Sequence, residues 1–523
     1  MFKNFRSLPF MKNIRFPAAL FFFAASLSLA WSLYFESAIL ATPYQIGYRE
    51  GSQMVITAMM LNGENYSDFE NQPLAYTAYG IGYNAAALPF ALLFGNTLFV
   101  HRCVTFIFIV LSAVTGFWIV FHRRRNHSLS LICSAFLMTA FMGWGGIGSA
   151  PTGMGTFFFL TALYVPYVLN FDNKSMFVSA LFSLIAFHTK AYFVLSFGIV
   201  ATYVFVFVSK RKAVGYGLLF LALFTAAFAL MRINYPFYFV NMIFGNVGNT
   251  FRTFKHLSTQ LFWLTVYFFP LLTLAAVMLW KEPRKDKELP SDFKTPGFQY
   301  DLLNLNKPLV DAKPDYLLHA FVLCLLVFAT VLGSHVGNYL AYSYELVVPT
   351  FLFWFFINFD RKRTFTLLST FVVVVNLFYW QFITLHPNML DQRNSAAWER
   401  AFSYLNPSLN ILNSPTVASR MVELGMRPVD SGQTDAFYLM KPYPDNPLWG
   451  PAYEEHRRDG LEYTQSINEA IAKQEYDLII TTKDVDVFYD LELIAEHYAL
   501  TDTLVLYMQQ TEQKWAVQVW EPR

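Results

Sequence analysis

Long apolar runs separated by short basic loops set the layout of this chain. The first run, Phe16–Leu40, follows Lys3, Arg6, Lys12 and Arg15. Later runs cover about 97–121, 128–142, 156–170, 176–190, 191–209, 213–231, 259–280, 316–333, 346–359 and 364–385. Several approach the roughly 20 apolar residues that cross a bilayer core. The pattern therefore predicts a polytopic α-helical membrane protein with about eleven transmembrane helices. The first run is too long for a signal peptide's apolar core and lacks a small-residue cleavage site, so it reads as a retained helix. With the N-terminus cytoplasmic, His122–Arg125, Lys174, Lys210–Lys212, the basic cluster within 281–315 and Asp360–Arg363 all face the cytoplasm, as the positive-inside rule requires.

Residues 74–94 are apolar enough to span, but counting them would reverse the side of every later basic loop. Gly80, Gly82 and Pro89 interrupt the run and Gly95 follows it, which suits a re-entrant or interfacial helical pair on the outer face. The first exterior loop then runs from about 41 to 96. Within it, Met54, Val55, Ala58 and Met59 recur at helical spacing before Asn62-Gly63, predicting a short helix over 50–61 that lies along the membrane surface with Glu50 at its start.

Beyond Leu385 the composition becomes that of a soluble protein. Strands are expected at 410–413, 476–482, 504–508 and 515–520, with helices at 416–424 and 467–474. The expected organisation is a transmembrane domain, 1–385, and an exterior α/β domain, 386–523, long enough to hold a core of its own.

Composition agrees with a chain whose main solvent is lipid. Of 523 residues, 55% are hydrophobic and 14% charged, against about 25% charged in soluble proteins. A net charge of +2 gives no footing for nucleic acid. Cys103, Cys133 and Cys324 all sit in apolar runs, with neither disulfide nor metal-ligand spacing. The glycine-rich stretch 143–155 does not match a phosphate-binding loop.

The charges that remain at the outer rim carry the candidate chemistry. Glu50, Glu64, Asp68 and Glu70 fall in the first exterior loop. Glu50 is either a reactive carboxylate or a carboxylate satisfying a helix N-terminus. Asp68 and Glu70 are either acceptor or divalent-metal contacts or members of a solvated loop, and Glu64 beside Asn62-Gly63 reads as a turn residue. Glu36, near the outer end of the first run, is a second acidic group or an interfacial one. Lys190, after His188 and Thr189, lies where one run turns outward into the next. A lysine at that depth is costly and so is a functional candidate; snorkelling to the interface is the other reading. Arg102 opens the second run from outside. Arg232, Arg252, Lys255 and His256 sit in the exterior 232–258 loop, as phosphate ligands or as a rim on the outer leaflet. His335, Asn338, Tyr339, Tyr342, Tyr344 and Glu345 form an exterior cluster before Pro349, readable also as an aromatic belt.

Tyr48-Arg49-Glu50-Gly51, Leu61-Asn62-Gly63-Glu64-Asn65-Tyr66, Gln72-Pro73, Tyr79-Gly80, Phe94-Gly95 and Arg102 follow one another in an order that resembles the first exterior loop of the GT-C glycosyltransferase superfamily. The likeness is to the bacterial members related to protein O-mannosyltransferases and to the aminoarabinose transferase of lipid A. The resemblance implies transfer of a sugar from a polyprenyl-phosphate donor to a glycan, lipid or protein acceptor on the outer face of a bacterial inner membrane, with the C-terminal domain periplasmic. Glu50 matches the family's first-loop acidic position and would be the general base. Lys190, His188, Arg102 and Arg232 would meet the lipid phosphate as it leaves. His335, Asn338, Tyr339, Tyr342 and Glu345 would line the donor site, since relatives carry an Asn-Tyr step there. One in-line displacement inverts the anomeric centre and needs no second, nucleophilic carboxylate. The competing class is a transporter or flippase, which usually places ionisable residues near the bilayer midplane in repeated halves; here the charges lie at the outer rim and no repeat is visible.

Overall fold

A computed structural model of the chain describes residues 15–47, 50–64, 79–143, 148, 150–235, 238–239, 242, 253–280, 305–310, 315–334, 342–359, 366–385, 395–430, 451–483, 489–508 and 513–523. The membrane part is built from α1 (Arg15–Ala41), α2 (Glu50–Leu61), α3 (Gly82–Phe94), α4 (Leu98–Arg124), α5 (His127–Gly143), α6 (Thr152–Val168), α7 (Asn173–Phe187), α8 (Leu195–Phe207), α9 (Lys210–Asn234), α10 (Phe254–Trp280), α11 (Tyr316–Val327), α12 (Val348–Asn358) and α13 (Thr366–Thr384). A 3-10 turn, Ala191–Val194, precedes α8. Two π-helical turns, Phe328–Leu332 and Ser343–Val347, end α11 and open α12.

Five of these helices, α1, α4, α9, α10 and α13, are long and apolar enough to cross a membrane. Their outward faces carry large bare side chains, such as Phe23 at 67% and Leu221 at 59% exposure. Such faces are costly in water and ordinary in hydrocarbon. The chain is an integral membrane protein. The remaining apolar helices have 10–17 residues, so the eleven expected runs all contain helix but do not all reach full span length. Three of them, α5, α6 and α12, lie deeper instead. α5 is buried along almost its whole length, and Phe136, Phe353, Phe356 and Trp380 pack around it and its neighbours.

Helix ends follow local chemistry. Thr97, Asp172, Ser209 and Asp315 accept backbone N–H bonds at the starts of α4, α7, α9 and α11. The Ser175 amide, 2.7 Å from Asp172, holds that carboxyl below its usual range. His122, Arg123 and Arg124 complement the C-terminal dipole of α4. Arg123 lies 3.9 Å over the Tyr167 ring, and Arg124 donates to the Phe359 carbonyl at 2.8 Å.

The first loop contains the helix its spacing predicts, α2, but not in the setting expected. Nine of its residues, from Glu50 to Met59, are buried, because α3 and the C-terminal part of the chain cover the side that would have met water. α3 is the helical portion of the 74–94 run among the described residues. Its 13 residues rise roughly 20 Å, short of the roughly 30 Å hydrocarbon core. Asn84 in its first turn bonds the Gln53 carbonyl and Asn96 beyond its end bonds the Met54 carbonyl, both at 2.9 Å. The segment therefore leaves α2 and returns to it.

The C-terminal part comprises α14 (Ser395–Ser403), β1 (Ile411–Leu412), α15 (Ala418–Glu423), α16 (Pro451–Ala472), β2 (Leu478–Thr482), α17 (Leu491–His497), β3 (Tyr498–Met508) and β4 (Gln513–Pro522). The strands form one sheet in the order β1-β2-β4-β3, with β1 parallel to β2 and the other pairs antiparallel. β2 is buried along its length because both faces are covered. Leu478 and Ile480 face Trp398 and Met421; Ile479 faces Ile467, Ile471 and Ile494. α14 and α17, absent from the sequence reading, join α15 and α16 in closing these two faces.

Candidate functional site

Glu50 begins α2, and its carboxylate turns inward onto Arg102 of α4. Arg102 Nε and Nη2 lie 2.9 Å from Oε1 and Oε2, a two-pronged pair with side-chain exposures of 0% and 5%. Oε2 also accepts the Ile46 amide at 2.7 Å and the Gly47 amide at 3.4 Å. The other arginine N–H groups reach the carbonyls of Ile39 (2.8 Å), Thr42 (2.6 Å) and Tyr44 (2.7 Å). These five bonds use every N–H a guanidinium has. Arg102, expected to meet a lipid phosphate, has no donor left for one in this structure; it fixes the carboxylate and the chain leaving α1.

Gly148 approaches the same carboxylate, where a side chain would not fit. A Cβ there would stand 2.7 Å from Oε1, and the residue has φ +92°. Glu36 lies on the facing side of α1, 3% exposed, within the field of both Arg102 and Glu50, and its Oε2 has no hydrogen-bond partner.

A second buried ion pair stands nearby. Lys190 Nζ lies 2.9 Å from Glu345 Oε1, with side-chain exposures of 11% and 3%. The Tyr192 hydroxyl and the Thr152 hydroxyl also bond Glu345. The Tyr79 and Tyr192 rings lie 5.5 and 5.7 Å from Nζ. Glu345 is carried by the π turn that opens α12; a single widened turn of this kind re-aims a side chain inside an otherwise regular helix. The Gly148–Thr152 segment links the two pairs. It touches Glu50 at one end and Glu345 at the other, and four residues span at most about 14 Å. Both carboxylates therefore flank one short stretch of backbone.

Local sequence explains how Lys190 is held. The Gly80 amide donates to the Thr189 carbonyl at 3.0 Å and the Gly82 amide to the His188 carbonyl at 2.8 Å. A Cβ on Gly80 would stand 1.9 Å from that His188 oxygen, so only glycine permits the contact. His188 Nδ1 lies 2.8 Å from the Tyr238 hydroxyl, which also accepts the Ile81 amide at 3.3 Å. Burial pushes the Tyr238 phenol well above the usual tyrosine range, so it stays neutral. Arg232 sits in the last turn of α9, beside Met231 of the cluster that joins Val55, Phe187 and Tyr238. Tyr342 packs edge-on against Tyr192 at 4.9 Å.

Asp68, Glu70, Arg252, His335, Asn338 and Tyr339 lie outside the described residues. Among the described residues no group of three or more His, Cys, Asp or Glu side chains is arranged to hold a metal ion. Sequence reasoning missed Thr152, Tyr192, Tyr238 and Gly148, and all the backbone groups around Glu50. Of these, Gly148 alone left a signal, its place in the glycine-rich stretch.

No protein-family model and no curated protein matches the chain. Two solved structures match it along nearly their whole length. Both are of ArnT from Cupriavidus metallidurans. The apo structure covers 95% of this chain and 97% of its own, with a TM-score of 0.53 at 12% identity. The structure bound to undecaprenyl phosphate covers 94% and 97%, with a TM-score of 0.51 at 12% identity. This chain has the ArnT fold.

Proposed function

We propose that the chain is an inverting glycosyltransferase of the GT-C class that moves a sugar from a polyprenyl-phosphate donor to an acceptor at the outer face of the membrane. The observation that carries this reading is the near-complete match to ArnT, a lipid A aminoarabinose transferase one of whose structures holds undecaprenyl phosphate. The proposal includes eleven spans with α3 re-entrant, a cytoplasmic N-terminus in a bacterial inner membrane, and a periplasmic α/β domain over 386–523.

In this reading Glu50 takes the proton of the acceptor hydroxyl as that oxygen attacks the anomeric carbon. Arg102 holds the carboxylate in one orientation, and a fixed orientation at the reacting group lowers the barrier. Gly148 adds no side chain of its own against Oε1. The bond from the anomeric carbon to the phosphate oxygen breaks on the opposite side, and the phosphate gains a negative charge. Lys190 is the cation for that charge, with His188 and Arg232 on the same outer rim. In the absence of donor Glu345 neutralises Lys190, so the ammonium is not left buried alone. Asp68 and Glu70 remain candidates for acceptor or divalent-metal contacts, and His335, Asn338, Tyr339 and Tyr342 for the donor sugar or lipid.

The test is binding of undecaprenyl phosphate to the purified protein in nanodiscs. Wild-type protein should bind it saturably, and Lys190→Ala should weaken binding about tenfold or more, as expected for loss of a charge-assisted contact. Equal binding by a folded Lys190→Ala protein, or no saturable binding by wild type, would count against the reading.

A further inference from the structure

Three consecutive residues outside α1 join the C-terminal sheet to the Glu50–Arg102 pair. The Tyr44 ring is part of the C-terminal core, stacked on Trp398 with centroids 5.1 Å apart and planes 4° from parallel. The Tyr44 carbonyl accepts from Arg102 at 2.7 Å. Gln45 is 1% exposed and points toward α15: Oε1 accepts the Ser419 amide at 2.9 Å and Nε2 donates to the Pro415 carbonyl at 3.2 Å. The Ile46 amide then donates to Glu50 Oε2 at 2.7 Å. Side chains of the strip hold the C-terminal sheet and its backbone holds the carboxylate.

The next turn repeats the contact. Gly51 follows Glu50 and lies against α15 so closely that a Cβ would stand 2.8 Å from Ala418 Cβ, 2.9 Å from Gln45 Oε1 and 3.0 Å from the Ser419 nitrogen. The Leu98 amide, four residues before Arg102, bonds Glu423 at the other end of α15 at 3.3 Å. Both members of the ion pair are therefore tied to the same short helix.

We infer that the C-terminal domain sets the aim of the Glu50 carboxylate through Tyr44–Ile46, with Gln45 as the positioning residue. Gln45 is one peptide away from the amide that meets Glu50. Three bonds hold its amide in place: besides Pro415 and Ser419, Nε2 donates to the Gly47 carbonyl at 3.3 Å. Without them the strip loses its hydrogen bonds from Gln45 to the segment 415–419, and the Ile46 amide drifts from Oε2. A displacement near 1 Å at a reacting group costs on the order of 100-fold in rate. That the drift slows a reaction rests on the function proposed above; that the strip is fastened by Gln45 does not.

The experiment uses the full chain in nanodiscs. Gln45→Met keeps the volume and removes the three bonds. Hydrogen exchange across 42–51 should quicken tenfold or more at Ile46 and Gly47, while β2 and β4 keep their protection. With radiolabelled undecaprenyl-phosphate sugars as donors, kcat should fall about 10- to 100-fold and KM for the donor should stay within about twofold. Unchanged exchange at Ile46 and Gly47 overturns the inference. So does wild-type turnover by Gln45→Met when Glu50→Gln is inactive. Should Glu50→Gln itself turn over normally, the base assignment fails and exchange alone decides the strip. If Gln45→Met does not fold, Gly51→Ala takes its place: its Cβ would stand 2.9 Å from Gln45 Oε1 and 3.0 Å from the Ser419 nitrogen and should push Gln45 off α15, so exchange at Ile46 and Gly47 should quicken, and unchanged exchange overturns the inference.

Discussion

Replacing Arg102 tests the most heavily bonded group of the site. Its guanidinium is fully buried and makes five hydrogen bonds, two of them to Glu50. Removing one partner of a buried ion pair costs about 3–5 kcal/mol, because the other charge stays behind. The carbonyls of Ile39, Thr42 and Tyr44 lose their donor at the same time, at about 1 kcal/mol or more each. The sum, about 6–8 kcal/mol, approaches the whole stability of a typical domain. Arg102→Ala should therefore not accumulate as folded protein. Arg102→Lys keeps the charge but has three donors on a point-like head in place of a planar fork, and should cost about 2–3 kcal/mol. The clean measurement is a double-mutant cycle of Arg102→Lys and Glu50→Gln by equilibrium SDS unfolding in mixed micelles. The pair geometry predicts a coupling of about 2 kcal/mol, within the range for residues in one buried network. Additivity within about 0.5 kcal/mol would refute the pairing as a source of stability.

Further outcomes follow from the neighbouring contacts. Glu345→Gln removes the counter-ion of Lys190 and should tighten undecaprenyl phosphate binding several-fold, read by the nanodisc binding assay; weaker binding would show that Glu345 organises the site rather than occupying it. Gly80→Ala places a Cβ 1.9 Å from the His188 oxygen and should cost about 3 kcal/mol or more, whereas Gly198→Ala, with nothing within 4 Å, should be neutral or stabilising by up to about 1 kcal/mol; thermal unfolding in detergent separates them. Glu36→Leu removes a buried carboxyl whose Oε2 has no partner and should raise the unfolding midpoint, since an unpaired buried polar group costs about 1–3 kcal/mol; a lower midpoint would mean the carboxyl is bonded.

What the sequence disclosed depended on the range of the signal. The limits of α2 were legible because Met54, Val55, Ala58 and Met59 repeat at helical spacing and Asn62-Gly63 ends the turn. Its burial was not, because the covering residues, Ala418 and Ser419, lie more than 360 positions away. β2 stood out as an unbroken apolar strand, while β3, with Leu500 and Val505 exposed on an edge, showed only its last residues. The charged residues of both ion pairs were found by type and depth, since carboxylates, arginine and lysine are rare in such a composition. Their pairing was not: Glu50 and Arg102 are 52 residues apart, Lys190 and Glu345 155. Backbone donors such as the Ile46 amide carry no side-chain signature at all, so the groups that aim Glu50 become visible only in three dimensions.

The central claim is that Glu50 is the base of sugar transfer, and the measurement that meets it most directly is turnover by Glu50→Gln. Full-length protein in nanodiscs, shown by unfolding midpoint to be folded, would be offered a panel of radiolabelled undecaprenyl-phosphate sugars with cell-envelope acceptors. Loss of a general base typically costs 100- to 10,000-fold, so kcat should fall into that range while undecaprenyl phosphate binding holds within about twofold. Turnover by Glu50→Gln within a few-fold of wild type would contradict the account and leave Glu50 a structural partner of Arg102.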